Sequence, residues 1–566
     1  MNQPVMTVPT TDANRPQDPG AGHANPTDRP HDSHALGGIL AAAIRIVASL
    51  TLVSRLTGLV RDILTAGLFG DTGIGSAFNA AFQVPNIFRR LFGEGALSAA
   101  FLPEYTRQRQ DSAEVADQLA SLTLRALTLT TALIVLVVEV ALMVVLIVAR
   151  NDPDRVLSIR LMMLMLPMMP MVCTTAILGG VLQSHGKFGP PAAAPVILNL
   201  MMIGAALVPF FWKGIPKETS AYLVGVAAVI ASVLQIVWSM LALRGLVRWT
   251  KITSAASESA RRVLKRFVPV LLGLGTLQLN TMMDTLIAMW PIWFGATMFG
   301  FAVTLDESSN SILSYTSRLY QFPLGVFGIA VATAVFPLLS RTAGHSVAFV
   351  DVLRRGVRLS LFIGIPASIG LVAVREDLVH TMFWKFSREG LERSALVVAC
   401  YAPAVWAYSL NHVLTRAFYA RGDTVTPMRV AMAMVAANLS LNLILIWYLR
   451  EAGLALSTGT CAMLQALVVC WAAKRKLDAN VFDRSTVVGA TKVFAVALLM
   501  GACVWAVISL WPAPATWRQH FARLSVATLV GGMSYIALAF VFGLEELRWL
   551  VRRAPAGVKM ESMMAE

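Results

Sequence analysis

Apolar residues gather along this chain in blocks of about 20 or more from Leu36 onward, the length a helix needs to cross a hydrocarbon core. The blocks fall at 40–68, 76–104, 120–149, 157–183, 191–212, 221–243, 264–298, 309–338, 352–374, 392–419, 427–448, 452–473, 487–511 and 522–543. Fourteen such blocks, joined mostly by short polar segments, predict an all-α polytopic membrane protein. The 264–298 block takes in some loop after Trp290 and Pro291. Residues 1–35 are rich in Pro, Asp, Asn, Thr and His and hold no apolar block, so they predict a disordered tail, neither a signal peptide nor a span. Residues 546–566 predict a second tail.

The pattern repeats. Ala99-Ala100-Phe101-Leu102-Pro103 ends the second block as Thr333-Ala334-Val335-Phe336-Pro337 ends the eighth, 234 positions later. Gln183-Ser184-His185-Gly186 before Pro191 matches Tyr419-Ala420-Arg421-Gly422 before Pro427 at an offset of 236. Two matches at nearly one offset predict two six-helix lobes, 36–245 and 246–476, related by an axis along the membrane normal and able to rock about a site between them. The last two blocks, in 477–545, stand outside the repeat.

Composition agrees, with 56% hydrophobic and 14% charged residues and a mean hydropathy of +0.65. The net charge of +15 could suggest nucleic acid, but the basic residues cluster in alternate loops: Arg107 and Arg109, then Arg244 to Arg266, then Arg354 to Arg358, then Lys474 to Lys476. That is the positive-inside pattern, and it puts both termini in the cytoplasm. Cys173, Cys400, Cys461, Cys470 and Cys503 lie within apolar blocks without metal-ligand spacing, so they read as reduced packing residues. No Ser-His-Asp, HExxH, paired-carboxylate or phosphate-loop pattern is present, which argues against an enzyme.

The charges that do not fit a lipid environment are the informative ones. Arg55, Arg61, Arg89, Arg90 and Glu94 stand within apolar sequence near the start of the chain, and Arg318 stands in the corresponding part of the second lobe. A charge at membrane depth costs at least about 2.5 kcal/mol, so such residues face protein or a watery cavity. Pro85-Asn86 before the Arg pair predicts a kink there, and Pro323 a second one after Arg318. Guanidinium is always charged and presents a planar fork suited to phosphate oxygens, so several of them in one cavity point to a diphosphate. Arg107 and Arg109, near a predicted helix end, read instead as residues reaching to headgroups or pinned to a helix carbonyl.

SRLTGLVRD, VPNIFRRLFGEGALSAAFLPEY, QSHGKFGPPAAAPVILN, SRLYQFPLGVFGIAVATAVFPLLS and FYARGDTVTP together resemble the MurJ/MviN family, the lipid II flippases of peptidoglycan synthesis, within the wider exporter superfamily of multidrug and polysaccharide transporters. The resemblance runs from about Leu36 through the twelfth block. It implies the bacterial inner membrane, a central cationic cavity for the diphosphate-sugar head of lipid II, and a groove for its polyprenyl tail formed by the last two helices. It places the family's substrate-binding residues on Arg55, Arg61, Arg89, Arg90, Arg318, Asn86 and Glu94. Ser76, Gln83 and Ser317 stand where many members carry Asp, Lys and an acid, which implies a more cationic cavity and puts acid-based coupling in doubt.

Asp284, near the middle of the seventh block, is costly unless paired or coordinating. With Asn438, Asn442 and Thr458 it resembles a sodium site of some family members, so a coupling sodium ion is the one cofactor implied. Partners implied are lipid II, membrane lipid and members of a cell-wall synthesis complex. Three other readings stand beside this one: an exporter of a different polyprenyl-diphosphate oligosaccharide, a membrane glycan ligase, and a scaffold of the cell-wall machinery.

Overall fold

The computed structural model describes residues 31–92, 97–148 and 152–551. The tail calls at 1–30 and 552–566, and Glu94, lie outside them. The first lobe holds α1 (His31–Phe69), α2 (Gly73–Leu91), α3 (Leu97–Asp111), α4 (Ala113–Val148), α5 (Pro153–Met165), α6 (Met168–Ser184), α7 (Gly189–Phe211) and α8 (Lys217–Leu243). The second holds α9 (Ser257–Ala288), α10 (Trp290–Trp293), the hairpin β1 (Thr297–Met298) and β2 (Phe301–Ala302), α11 (Ser309–Pro323), α12 (Ile329–Thr342), α13 (Ser346–Met382), α14 (Arg388–Tyr401), α15 (Val405–Ala420), α16 (Val425–Leu449) and α17 (Glu451–Lys476). The helices α18 (Arg484–Leu510), α19 (Trp517–Val541) and α20 (Glu545–Val551) follow.

Every predicted span falls on a helix or a broken pair. Among the described residues nine helical spans are long and apolar enough to cross a membrane. The five other predicted spans correspond to α1, α2–α3, α9, α11–α12 and α14–α15. These carry the buried charges or are interrupted, which dilutes their hydropathy.

The breaks sit at particular residues. α5 and α6 part at Leu166 and Pro167, and α14 and α15 are joined by a 3-10 turn through Pro403. α11 ends at Pro323 and passes into a π-helical turn, Leu324–Gly328, as the proline predicts. Pro85 does not break its helix: α2 runs through it to Leu91. Asn86 Nδ2 donates back to the Phe82 carbonyl at 2.9 Å.

The repeat is visible in backbone detail. Gly186 (φ 74°) and Gly422 (φ 77°) end α6 and α15 in the left-handed region. Both turns close the same way, with Lys187 N–H donating to Leu182 O and Asp423 N–H to Phe418 O.

The two lobes meet closely at the end of the bundle that carries the 70–72 and 383–387 connections, here called the far end. Asn310 Nδ2 donates to Ser76 O at 2.8 Å and Ser311 N–H to Ser76 Oγ at 2.9 Å. Ser76 and Asn310 differ by the repeat offset of 234. Equivalent residues touch only where their symmetry axis passes between them, so the pseudo-twofold axis runs between α2 and α11. Gly75 permits this approach: a Cβ there would lie 2.6 Å from Gly70 O and from Ser311 Oγ. Asp71 accepts the Ser387 N–H at 3.0 Å and its hydroxyl, so the first lobe holds the residue that caps α14 by accepting the Gly390 N–H.

Candidate functional site: arginines at the lobe seam

Below that seal, α1, α2 and α11 bring Arg55, Arg61, Arg90 and Arg318 to one interface. Arg61 is only 9% exposed. Its Nε and Nη2 donate to Asp62 Oδ1 at 3.0 and 2.7 Å, its Nη1 donates to Asn199 Oδ1 at 2.9 Å, and its guanidinium lies 4.9 Å from the Phe82 ring centroid. The other Asp62 oxygen is 3.8 Å from Arg318 Nε on the second lobe. One carboxylate therefore bridges two guanidiniums across the seam.

Arg55 reaches the second lobe too, lying against Gly325 of the π-turn so closely that a Cβ at 325 would collide with its Nη1. Arg90 is within electrostatic reach of Tyr320 on α11. Arg89 Nε donates to Asn86 Oδ1 at 3.3 Å. Ser317 turns its hydroxyl back to Ser314 O within its own helix. Ser76 belongs to the far-end seal, away from this group.

Two residues were missed in the sequence. Asp62 tempers the expected cationic excess, and its signal was available: a carboxylate at membrane depth carries the same cost as the arginine beside it. Asn199 on α7 uses both its N–H donors, to Ser54 O at 3.0 Å and Thr57 Oγ1 at 3.1 Å, and accepts from Arg61. A neutral amide in an apolar block has no comparable signal.

The four residues of the candidate ion site do come together. Asp284 Oδ1 accepts from Asn442 Nδ2 at 2.7 Å and Oδ2 from Thr458 Oγ1 at 3.2 Å, while Asn438 Nδ2 donates to Thr458 Oγ1 at 3.1 Å. Ser457 joins the cluster through Asn442 Oδ1. One carboxylate with neutral side-chain oxygens is a donor set that fits a weakly held hard monovalent cation.

An apolar groove of about 990 Å³ lies on the second lobe, lined by α13, α15, α17 and α18, with Ile369, Trp406, Leu467, Phe494 and Trp505 among its walls. α19 contributes none of the lining residues and packs behind it. Among the contacts that hold α19–α20 to α13 are Arg523 to Asp377 at 2.7 and 2.8 Å, Trp517 Nε1 donating to Thr381 O at 3.0 Å, Tyr535 OH donating to Phe362 O at 2.6 Å, and Arg358 to Glu546 at 2.6 Å.

Outside the spans, the far end of the second lobe is fastened by charge. Arg393 donates to Glu451 Oε1 and Asp306 Oδ2, both at 2.7 Å, and Arg450 pairs with Asp306 and with Glu389. Burial alone would raise the Asp306 carboxyl, but the Arg393 hydrogen bonds and the charges of Arg393 and Arg450 hold it well below the usual carboxylate range.

Residues 65–527 match the model of the family described as lipid II flippase MurJ. A probable lipid II flippase MurJ of Vibrio cholerae is 28% identical over 526 residues, covering 88% of this chain and 95% of that one. One of Rhizobium meliloti is 30% identical over 446 residues, covering 75% and 78%. Among solved structures, a lipid II flippase MurJ in an inward closed conformation superposes with a TM-score of 0.73 at 22% identity, over 89% of this chain and 99% of that one. An inward-facing multidrug MATE transporter of the MOP superfamily gives 0.60 at 14% identity, over 77% and 98%. These two likenesses concern the fold.

Proposed function

This chain belongs to the lipid II flippase MurJ family, and we propose on that premise that the arginines at the lobe seam hold the diphosphate of lipid II while the lobes rock to carry its headgroup across the bacterial inner membrane. The protein is a transporter, not an enzyme. The observation that carries the reading is the Asp62 bridge, in which Arg61 of one lobe and Arg318 of the other share a single carboxylate. A diphosphate offers more anionic oxygen than one carboxylate, so it competes with Asp62 for both forks. Headgroup arrival then changes the contact that joins the lobes at mid-bundle, while the Ser76 to Asn310 seal keeps the far end shut. Opening that seal and closing the near end completes alternating access.

The basic loops gather at the near end, where α3, α8 and α17 finish and α9 and α13 begin, which supports a cytoplasmic near end and cytoplasmic termini. The apolar groove suits a polyprenyl chain. Asp284, Asn438, Asn442 and Thr458 would hold a sodium ion, whose gradient would supply the driving force for return of the empty carrier. Association with other cell-wall synthesis proteins stays an expectation of the family resemblance.

The test is depletion of the cell's own flippase and replacement by Arg55→Ala, Arg89→Ala or Arg318→Ala, each checked for insertion, with lipid II exposed at the outer leaflet as the readout. Loss of exposure is the expected result, and full rescue by all three would overturn the assignment of these residues. An exporter of another polyprenyl-diphosphate oligosaccharide would leave lipid II exposure unchanged even with the native chain.

A further inference from the structure

The near-end half of α15 carries a polar stripe that the mechanism above does not use. At 100° per residue, Tyr408, His412, Thr415, Arg416 and Tyr419 fall within about 100° of one another. All five are partly or fully exposed, while Leu410, Val413, Leu414, Ala417 and Phe418 between them are buried. The stripe lies opposite Trp406 and Leu410, the α15 residues that wall the apolar groove, so it does not face that groove.

Its upper end is fixed to α11, the helix that carries Arg318. Tyr408 stacks on Tyr320 with ring centroids 5.5 Å apart, and Tyr320 stacks on Tyr401 at 4.5 Å. Tyr320 is two residues beyond Arg318. Its lower end leads past Arg416, whose guanidinium lies 5.2 Å from the Phe336 ring of α12 and has no carboxylate partner among the described residues. The first lobe has Gly180 at the position that the repeat offset of 236 pairs with Arg416, so the cation is not part of the shared scaffold.

Resting on the flippase reading, we infer that Arg416 is a further substrate-binding residue, which takes a carboxylate of the headgroup's peptide while the seam arginines hold the diphosphate. Eight residues separate Arg416 from Tyr408, about 12 Å along the helix. Tyr408 stacks on Tyr320 of α11, the helix that carries Arg318, so Arg416 stands that far along α15 from the seam contact and does not share a phosphate bound there. That distance is the reach of about three or four residues of extended peptide. A guanidinium resting on an aromatic ring, with no acid to satisfy it, keeps its fork available for an incoming carboxylate.

The experiment compares two lipids on the purified full-length protein: lipid II, and the same lipid-linked diphosphate disaccharide without its peptide. Arg416→Ala is expected to weaken lipid II binding about tenfold, as loss of a charge-assisted hydrogen bond would, and to leave the peptide-free lipid unchanged. Arg416→Lys should recover part of the loss. The melting temperature of each variant, held near native, reports folding independently of either lipid. Equal weakening for the two lipids, or no weakening for either, overturns the inference. A native protein that binds neither lipid overturns the flippase reading and this inference with it.

Discussion

Asp62 decides how the seam is set. Its carboxylate accepts two hydrogen bonds from Arg61 and stands 3.8 Å from Arg318, so removing its charge leaves two partly buried guanidiniums facing each other across the lobes. Asp62→Asn keeps the shape and one acceptor but gives up the attraction. We expect it to insert normally, to bind the lipid diphosphate at least as well because a competitor is gone, and to expose about tenfold less lipid II at the outer leaflet, as loss of a coupling of 1 to 3 kcal/mol implies. Unchanged exposure would show that the bridge is not part of the cycle. Why Asp62 was overlooked is instructive: beside Arg61 it reads as the second half of a local pair, and only the fold brings Arg318 to its other oxygen. The arginines themselves were legible because an apolar block leaves a charge nowhere to hide.

At the level of elements, hydropathy marks where a helix meets lipid, and so it located every span while missing what extends beyond the membrane. α4 begins at Ala113 and α13 at Ser346, each several residues before the apolar block, because the polar and charged residues of their opening turns, Glu114 and Asp117 in one and Ser346 and Asp351 in the other, interrupt an apolar count. Pro85 shows the limit of a proline signal: it advertises a lost hydrogen bond, yet α2 continues through it to Leu91. The π-turn after Pro323 has a consequence that can be measured. Gly325→Ala would push Arg55 off its seat while meeting only the movable end of a long side chain. Insertion and melting temperature should therefore stay near native while transport falls severalfold; a variant that transports normally would mean that Arg55 does not need this position. The Asp306 cluster makes a different prediction. A carboxyl held below its ordinary range contributes stability above its unfolded pKa of about 3.9 and loses it as pH falls through the lower, folded value. Thermal melting of the purified protein should be flat for this contribution from pH 8 to about 5 and decline below about pH 4, and Asp306→Asn should flatten part of that decline. An identical acid limb in the variant would assign the loss elsewhere.

For the whole molecule, the pseudo-twofold axis passes through a contact that only small residues allow. Ser76, Asn310 and Ser311 hydrogen-bond across it, and a methyl group at position 75 would lie only 2.6 Å from Gly70 O and Ser311 Oγ. Gly75→Ala meets backbone at Gly70 O, which cannot swing aside, so the far end must part. We expect a cysteine placed at Ser76 to become reactive toward a thiol reagent added outside the cell in that variant and to stay protected without it. Protection in both would mean the seal tolerates the methyl group. The repeat itself was readable from two short motifs, but which of its residues would meet at the axis was not, since offset alone says nothing about distance.

The bolting of α19 and α20 to α13, through Asp377 with Arg523 and Arg358 with Glu546, makes the apolar groove a fixed part of the second lobe. Four of the six arginines considered, Arg55, Arg61, Arg89 and Arg90, ride on the first. A lipid held at both places is tethered across a moving joint, with its tail travelling with one body and its phosphates with the other. Each stroke must then reel the chain along the groove, and the length of the isoprenoid becomes a gear ratio of the machine.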